Sequence, residues 1–490
     1  MMWAIELAIL VVLFVVILLW PRFKYGKNAG ADLYFTLLLT RSIKKSGRVP
    51  NKIPQYIFDK KLDYPYLTQY ILSKFPKNFV FNYFWTIPAI LNTLSIIAVY
   101  WSLAHIQGQV SLYAIIVAIA APIYISEHNT LTSRVAGIFF YNIAFIALLF
   151  YLITKNPLFL AVMLIMLIFE FYTHKFSTQA TLILLIVIMF TAIFLNDFIL
   201  IGTIAMIFPI LALSKTYRKF FIAHIRNIKL WCRERDSLIG KTGDFLTISF
   251  IFDRIIRNFF FNSVLLLALL TPLYPGLITN WTIIEKMSYF LLFFTATLSI
   301  VVSHLPFFSV LGEGWRYGAY LLIPLAVIFN SLAIITKAVF FLPIIILILI
   351  FDVLMQVRIN RHYKYLDYVG GAVVFLKKIK NCRLHVVSGS STLFAYMTGH
   401  KALTSVDSNC FDELCDLTIF HRKPVEHYLK KYKINTLITL KGGKEYANKD
   451  KLGSKRTKKN KCIVDTNKPA FKKVFQDKHF VIHHINLKKL

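Results

Sequence analysis

The sequence predicts a polytopic α-helical membrane protein of about eleven spans that ends in a soluble, Rossmann-like α/β segment of about 130 residues. Three observations predict it. Hydrophobic residues make up 57% of the chain, with 44 Phe and 25 Tyr, and they fall in long blocks rather than at the spacing of a soluble core. The polar loops between the blocks sort into a short set and a long set that alternate along the chain. After Asp352 the blocks stop, and short apolar runs alternate with helical patterns.

A hydrocarbon layer of about 30 Å needs about 20 apolar residues as helix, and without water every amide must pair inside its own segment. The blocks place spans near 3–20, 82–104, 110–125, 135–153, 157–172, 179–195, 198–214, 260–279, 287–304, 317–334 and 338–356. The first block lacks a basic start and a small-residue cleavage site, so it reads as an anchor rather than a signal peptide. The formal net charge of +32 raises nucleic acid as a partner. Lys and Arg are scattered through loops without a nucleic-acid-binding motif, so we expect no nucleic acid and assign the counter-charge to membrane lipids or lipid phosphates. Cys232, Cys382, Cys410, Cys415 and Cys462 show neither CxxC spacing nor a disulfide framework, and no metal site follows from them.

The long loops are 21–78, 126–136, 173–178, 215–257 and 303–318, and alternation of spans puts them on one face with the tail. That face is the expected working side. Loop 21–78 carries twelve Lys and Arg, which on charge bias alone would point to the cytoplasm; the rule weakens for loops of about 60 residues. The chain divides into a membrane domain, 1–356, with its first large loop at 21–78, and a soluble α/β domain, 357–490. In the tail we expect helices at 365–379, 391–397 and 424–432 and strands at 383–387, 402–406, 435–440 and 480–485. Val387-Ser388-Gly389-Ser390-Ser391 has no phosphate-loop pattern and reads as a strand-to-helix turn, and Lys441 to Lys461 as a solvated loop.

In the first loop, Arg41, Lys44, Lys45 and Arg48 form one cationic helix face beside Leu37 and Leu38, the pattern of an amphipathic helix at the membrane interface. Asp32, just before it, is read either as the helix N-cap or as a working acid. Gly30-Ala31-Asp32, this basic helix, a Pro-containing connection and Asp63-Tyr64-Pro65-Tyr66-Leu67 together resemble the first extracytoplasmic loop of the GT-C membrane glycosyltransferases, the group that includes dolichyl-phosphate-mannose mannosyltransferases and aminoarabinose transferases. Glu127-His128-Asn129 with Ser133-Arg134, Thr173-His174-Lys175-Phe176-Ser177 and Gly312-Glu313-Gly314-Trp315-Arg316-Tyr317 extend the resemblance across most of the membrane region. Tyr66 departs from the proline that relatives often have there.

The resemblance implies an inverting glycosyltransferase that takes a sugar from a polyprenyl-phosphate carrier and passes it to a glycan, lipid or protein acceptor outside the cytoplasm. Asp32 would then be the catalytic acid-base residue, with Glu127 assisting it or holding a divalent cation. Substrate-binding roles fall to Arg316, His174, Lys175, Arg134, His128, Glu313, Asp63 and Tyr64. Negative charge grows on the departing phosphate, and cations at a low-dielectric boundary stabilise it strongly. Arg316 leads because guanidinium can grip phosphate with two hydrogen bonds. Lys175 and Arg134 are equally consistent with snorkelling at helix ends, His128 and His174 with local hydrogen bonds, and Glu313 with pairing to Arg316. Glu170 either lines a lipid-phosphate groove or reaches water. The lysine-rich composition suggests a prokaryote and hence its plasma (inner) membrane, and the resemblance implies that site and tail lie on the extracytoplasmic side. Two other classes remain in view: a transporter or flippase for a lipid-linked saccharide, although no internal repeat is present, and a non-catalytic assembly subunit, in which Asp32, Glu127 and Arg316 would not converge.

Overall fold

The computed structural model describes residues 2–25, 31–57, 62–238, 262–273, 278–304, 314–336, 368–386, 391–403, 425–441 and 466–490, with single positions between 343 and 357. Apolar blocks fold as helices because a buried or lipid-facing chain must satisfy its amides internally. The N-terminal helix α1 (Met2–Tyr25) is followed in the first loop by α2 (Ala31–Ser46), α3 (Leu67–Lys74) and α4 (Lys77–Asn82). The bundle continues with α5 (Ile87–Ile106), α6 (Leu112–Ile119), α7 (Pro122–Glu127), α8 (Ser133–Thr154), α9 (Pro157–Phe171), α10 (Lys175–Phe194), α11 (Phe198–Leu213) and α12 (Lys215–Leu238). Then come α13 (Ser263–Leu269), α14 (Ile283–His304), a 3₁₀ turn at Gly314–Tyr320 and α15 (Leu322–Thr336).

Among the described residues five helices are long and apolar enough to cross a membrane, and six if α11 and α12 are taken as one bent span. The expected eleven are therefore not reached. The block at 110–125 splits into α6 and α7 because Pro122 supplies no amide donor and holds Ala121 extended, at φ −57° and ψ 120°. The blocks at 157–172, 260–279 and 317–334 give shorter apolar helices, and most of 338–356 lies outside the described residues. Helix α12 leaves α11 at 88°, so the basic chain after Ser214 turns sharply away from the span before it. The main apolar core of the bundle gathers residues from α1, α5, α8, α10, α14 and α15.

The tail holds α16 (Gly370–Lys378), β1 (Arg383–Val386), α17 (Ser391–Thr398), β2 (Lys401–Ala402), α18 (Val425–Lys431), β3 (Thr436–Leu440), β4 (Phe471–Gln476) and β5 (Phe480–Ile485). Its five-stranded sheet has the order β2-β1-β3-β5-β4. Strand β1 runs parallel to β2 and β3, whereas β5 runs antiparallel to both β3 and β4. The sheet is thus small and mixed, and a Rossmann-like arrangement is not what it shows: the alternating strand-helix pattern accounts for β2-β1-β3, and a C-terminal hairpin completes the rest. The turn at 387–390 and most of the lysine-rich loop fall outside the described residues.

Helix α2 departs from the expected interfacial position. Leu33, Tyr34, Leu37 and Leu38 are buried in one cluster with Leu384, Leu393 and Phe394 of the tail. Phe35, Leu39 and Ile43 are buried in another with Ile53 and Tyr64. The apolar face predicted to lie on lipid instead packs against protein. The first loop also adds to the sheet edge: Ile57 N donates to Ala402 O at 3.0 Å and Ala402 N to Gln55 O at 2.8 Å.

Candidate active site

Four charged side chains from three loops of the working face meet. Asp32 lies inside the first turn of α2, not before it, which sets aside the N-cap reading and places its carboxylate at the positive end of the helix dipole. Glu127 closes α7 and is buried. Arg134 is the second residue of α8, and Arg316 sits in the 3₁₀ turn before α15. Arg134 Nε lies 2.8 Å from Glu127 Oε2, and Arg316 Nη1 donates to Glu127 Oε1 at 3.2 Å. Arg134 Nη2 reaches Asp32 Oδ2 at 3.7 Å. The charges form a chain, Asp32 to Arg134 to Glu127 to Arg316. Its two carboxylates differ: the Asp32 side chain is 62% exposed and that of Glu127 is 8%.

The third loop forms an adjoining wall. His174 is the N-cap of α10, and its Nδ1 accepts from Phe176 N at 2.9 Å, which leaves Nε2 to carry the proton. Desolvation, then the positive charges of Arg134, Arg316 and Lys175, hold the imidazole pKa well below its ordinary value. His174 is consequently a neutral donor, not the cation the sequence suggested. Tyr64 packs edge-on against His174 at 5.8 Å and Phe35 at 5.2 Å, with Lys175 Nζ 5.5 Å from its ring centre. Asp63 beside it is buried. Lys219 of α12 donates to the carbonyl of Leu62, tying that helix to the same loop.

His128 plays a different part. It is fully buried, Nδ1 donates to Tyr124 O at 2.9 Å, and the rings of His128 and Tyr124 lie 4.2 Å apart. Burial pushes its pKa down to about 4, so it supplies neither charge nor an exposed ligand. Glu170 is also fully buried and reaches no water. Glu313 lies outside the described residues. Among the described residues no group of three His, Cys, Asp or Glu gathers to hold a metal, and the carboxylates of Asp32 and Glu127 face guanidinium groups.

Sequence reasoning missed several residues of this wall. Tyr317 OH donates to Gln179 Oε1 at 2.9 Å, and the Gln179 amide meets His224 Nε2 at 3.3 Å. Gln179 stands four residues after Lys175 on one helix face, a spacing that could have drawn attention to it. Ser177 Oγ and Tyr320 OH share a 2.8 Å bond, and Phe176 stacks on Tyr317 at 4.7 Å. Arg22, at the end of α1, donates to Trp85 O at 2.7 Å and to His128 O at 3.4 Å, holding the turn that follows Glu127.

The helical bundle, the first loop folded over it and the α/β tail together give the chain a GT-C fold. It is similar to ArnT from Cupriavidus metallidurans in the apo state, with a TM-score of 0.52 at 11% identity over 99% of this chain and 98% of that one. It is likewise similar to ArnT from the same organism bound to undecaprenyl phosphate, with a TM-score of 0.54 at 11% identity over 98% and 97% of the two chains. At this identity the likeness is one of fold. No family model matches the sequence, and no curated protein is similar enough to be matched.

Proposed function

We propose that the chain is an inverting glycosyltransferase of the prokaryotic plasma membrane that moves one sugar from a polyprenyl-phosphate carrier to a glycan, lipid or protein acceptor on the extracytoplasmic side. The observation that carries the reading is the ionic chain from Asp32 through Arg134 and Glu127 to Arg316. An exposed carboxylate beside the Arg134 guanidinium, with Arg316 further along the same chain, supplies what the reaction needs. Asp32 takes or orients the acceptor proton. Arg316 and Lys175 meet the charge that develops on the leaving phosphate, with the His174 Nε2 proton as a neutral donor. That one fold neighbour is bound to undecaprenyl phosphate supports a polyprenyl phosphate as the carrier here too.

Glu127 takes a narrower role than the sequence suggested. Both its oxygens are engaged by guanidinium groups, so we assign it as the anchor that fixes Arg134 and Arg316 rather than as a second base. In line displacement at the sugar carbon, acceptor oxygen attacks from the Asp32 side while the sugar-phosphate bond breaks toward the cations, which inverts the anomeric centre.

The test is transfer by purified protein in detergent from synthetic polyprenyl-phosphate sugars, scored by release of polyprenyl phosphate. Asp32→Asn is expected to lower turnover by about 10²-fold or more with unchanged yield and melting temperature. Full activity in that variant removes the assignment.

A further inference from the structure

The tail and the first loop are one packed unit, although about 350 residues separate them in sequence. Every residue from Leu33 to Thr40 is buried, and the first loop meets the tail through three kinds of contact, two of them made by α2. The apolar contact is Tyr34, Leu37 and Leu38 against Leu393 and Phe394 of α17. The polar contact is Arg41, whose guanidinium sits 4.1 Å from the Tyr396 ring centre and donates to Tyr396 O at 3.0 Å. The backbone contact is the bridge between Tyr56 and Ala402 that extends the sheet edge. Asp32 stands in the first turn of this same helix, with its carboxylate largely exposed and 3.7 Å from Arg134. Its place is therefore set by where α2 lies, more than by contacts of its own side chain.

We propose that the C-terminal α/β segment is a positioning device for Asp32, with Arg41 and Tyr396 as its positioning residues; this rests on the glycosyltransferase reading above. The tail holds α2 from one side while Tyr64 and Ile53, packed against Phe35, Leu39 and Ile43, hold it from the other, so the Asp32 carboxylate is kept at a fixed distance from Arg134. A displacement of about 1 Å between reacting groups can cost about 10²-fold in rate, so a loosened clamp acts on turnover and leaves donor binding, which depends on Arg316 and Lys175, in place.

The experiment uses the full chain in detergent. Tyr396→Ala and Arg41→Met are expected to lower kcat by about ten-fold or more with the donor KM within about two-fold of the parent, and to speed hydrogen exchange of peptides covering 33–40. Tyr396→Phe keeps the ring and the carbonyl and is expected to match the parent in both readouts. Faster exchange with unchanged kcat overturns the proposal, as does unchanged exchange in Tyr396→Ala. An equal rise in KM and fall in kcat/KM with kcat constant also overturns it. If the parent transfers no sugar from any polyprenyl phosphate, the donor reading is what fails. Exchange at 33–40 in Tyr396→Ala then still decides the clamp, faster exchange supporting it and parental exchange overturning it.

Discussion

At the scale of single residues the site is governed by which charges share a partner. Glu127 holds Arg134 on one oxygen and Arg316 on the other, so Glu127→Gln leaves two guanidinium groups facing each other beside a neutral amide. With the arginines partly exposed, the loss is about 2–3 kcal/mol, expected as a lower melting temperature together with weaker donor binding. Glu127→Asp, one methylene shorter, is expected to fall between the parent and the amide, and differential scanning fluorimetry with donor titration checks the order. Arg316→Lys keeps the charge but loses the fork that grips phosphate; the donor KM is expected to rise about ten-fold and that of Arg316→Met further. The types and common face of Asp32, Glu127, Arg134 and Arg316 were legible in the sequence, because ionisable residues at span ends are few. The roles of the histidines were not. His174 caps α10 because its backbone is extended, at φ −154° and ψ 146°, and no residue pattern encodes that. His128 turns inward because Tyr124 one helical turn earlier offers both a carbonyl and a ring.

Among the elements, close approach of α8 and α10 sets the wall behind the site. A Cβ on Gly137 would stand 2.1 Å from Ser177 Oγ, with Thr173 Oγ1 at 3.0 Å and Ser177 Cβ at 3.1 Å. Gly137→Ala forces the Ser177 hydroxyl to turn, which breaks its bond to Tyr320 OH in the segment that carries Arg316. The expected cost is about 1–3 kcal/mol with reduced turnover, and adding Ser177→Ala should recover part of the stability by removing the clashing oxygen. Helix placement was legible wherever an apolar block was long. It failed where proline cut a block, as at Pro122, and where one face admitted two burial partners. Helix α2 shows the second case: an amphipathic helix beside a membrane and one beneath a soluble layer have the same periodicity, and the leucines of α2 met the tail. Strand β4 was missed because Lys472 and Lys473 interrupt its alternation; it lies at the sheet edge, where exposed lysines deter further pairing.

Across the whole molecule, the tail sheet and the first loop share a core, so the stability of one is that of the other. His385 of β1 and His483 of β5 stand in one row across the sheet with Leu437 of β3 between them, and both are buried. Burial pushes the His385 pKa down to about 4, and burial with the charge of Lys473 lowers that of His483. In the unfolded chain each would titrate near its ordinary value of about 6.5. As pH falls from about 6.5 toward 4, the unfolded state binds protons that the folded sheet refuses, so stability falls through that window and is unaffected above it. For His385 the full effect is about 3 kcal/mol. Thermal unfolding of the intact chain in detergent, followed from pH 7.5 to 4.5, should show a flat region and then a decline, and His385→Leu should flatten the decline. Because the α2 leucines sit in the same unit, hydrogen exchange at 33–40 should quicken over the same pH range as the sheet loosens. A decline of the same slope in His385→Leu would trace the acid sensitivity to other groups, and stable exchange at 33–40 through the transition would mean that the first loop keeps its place without the sheet.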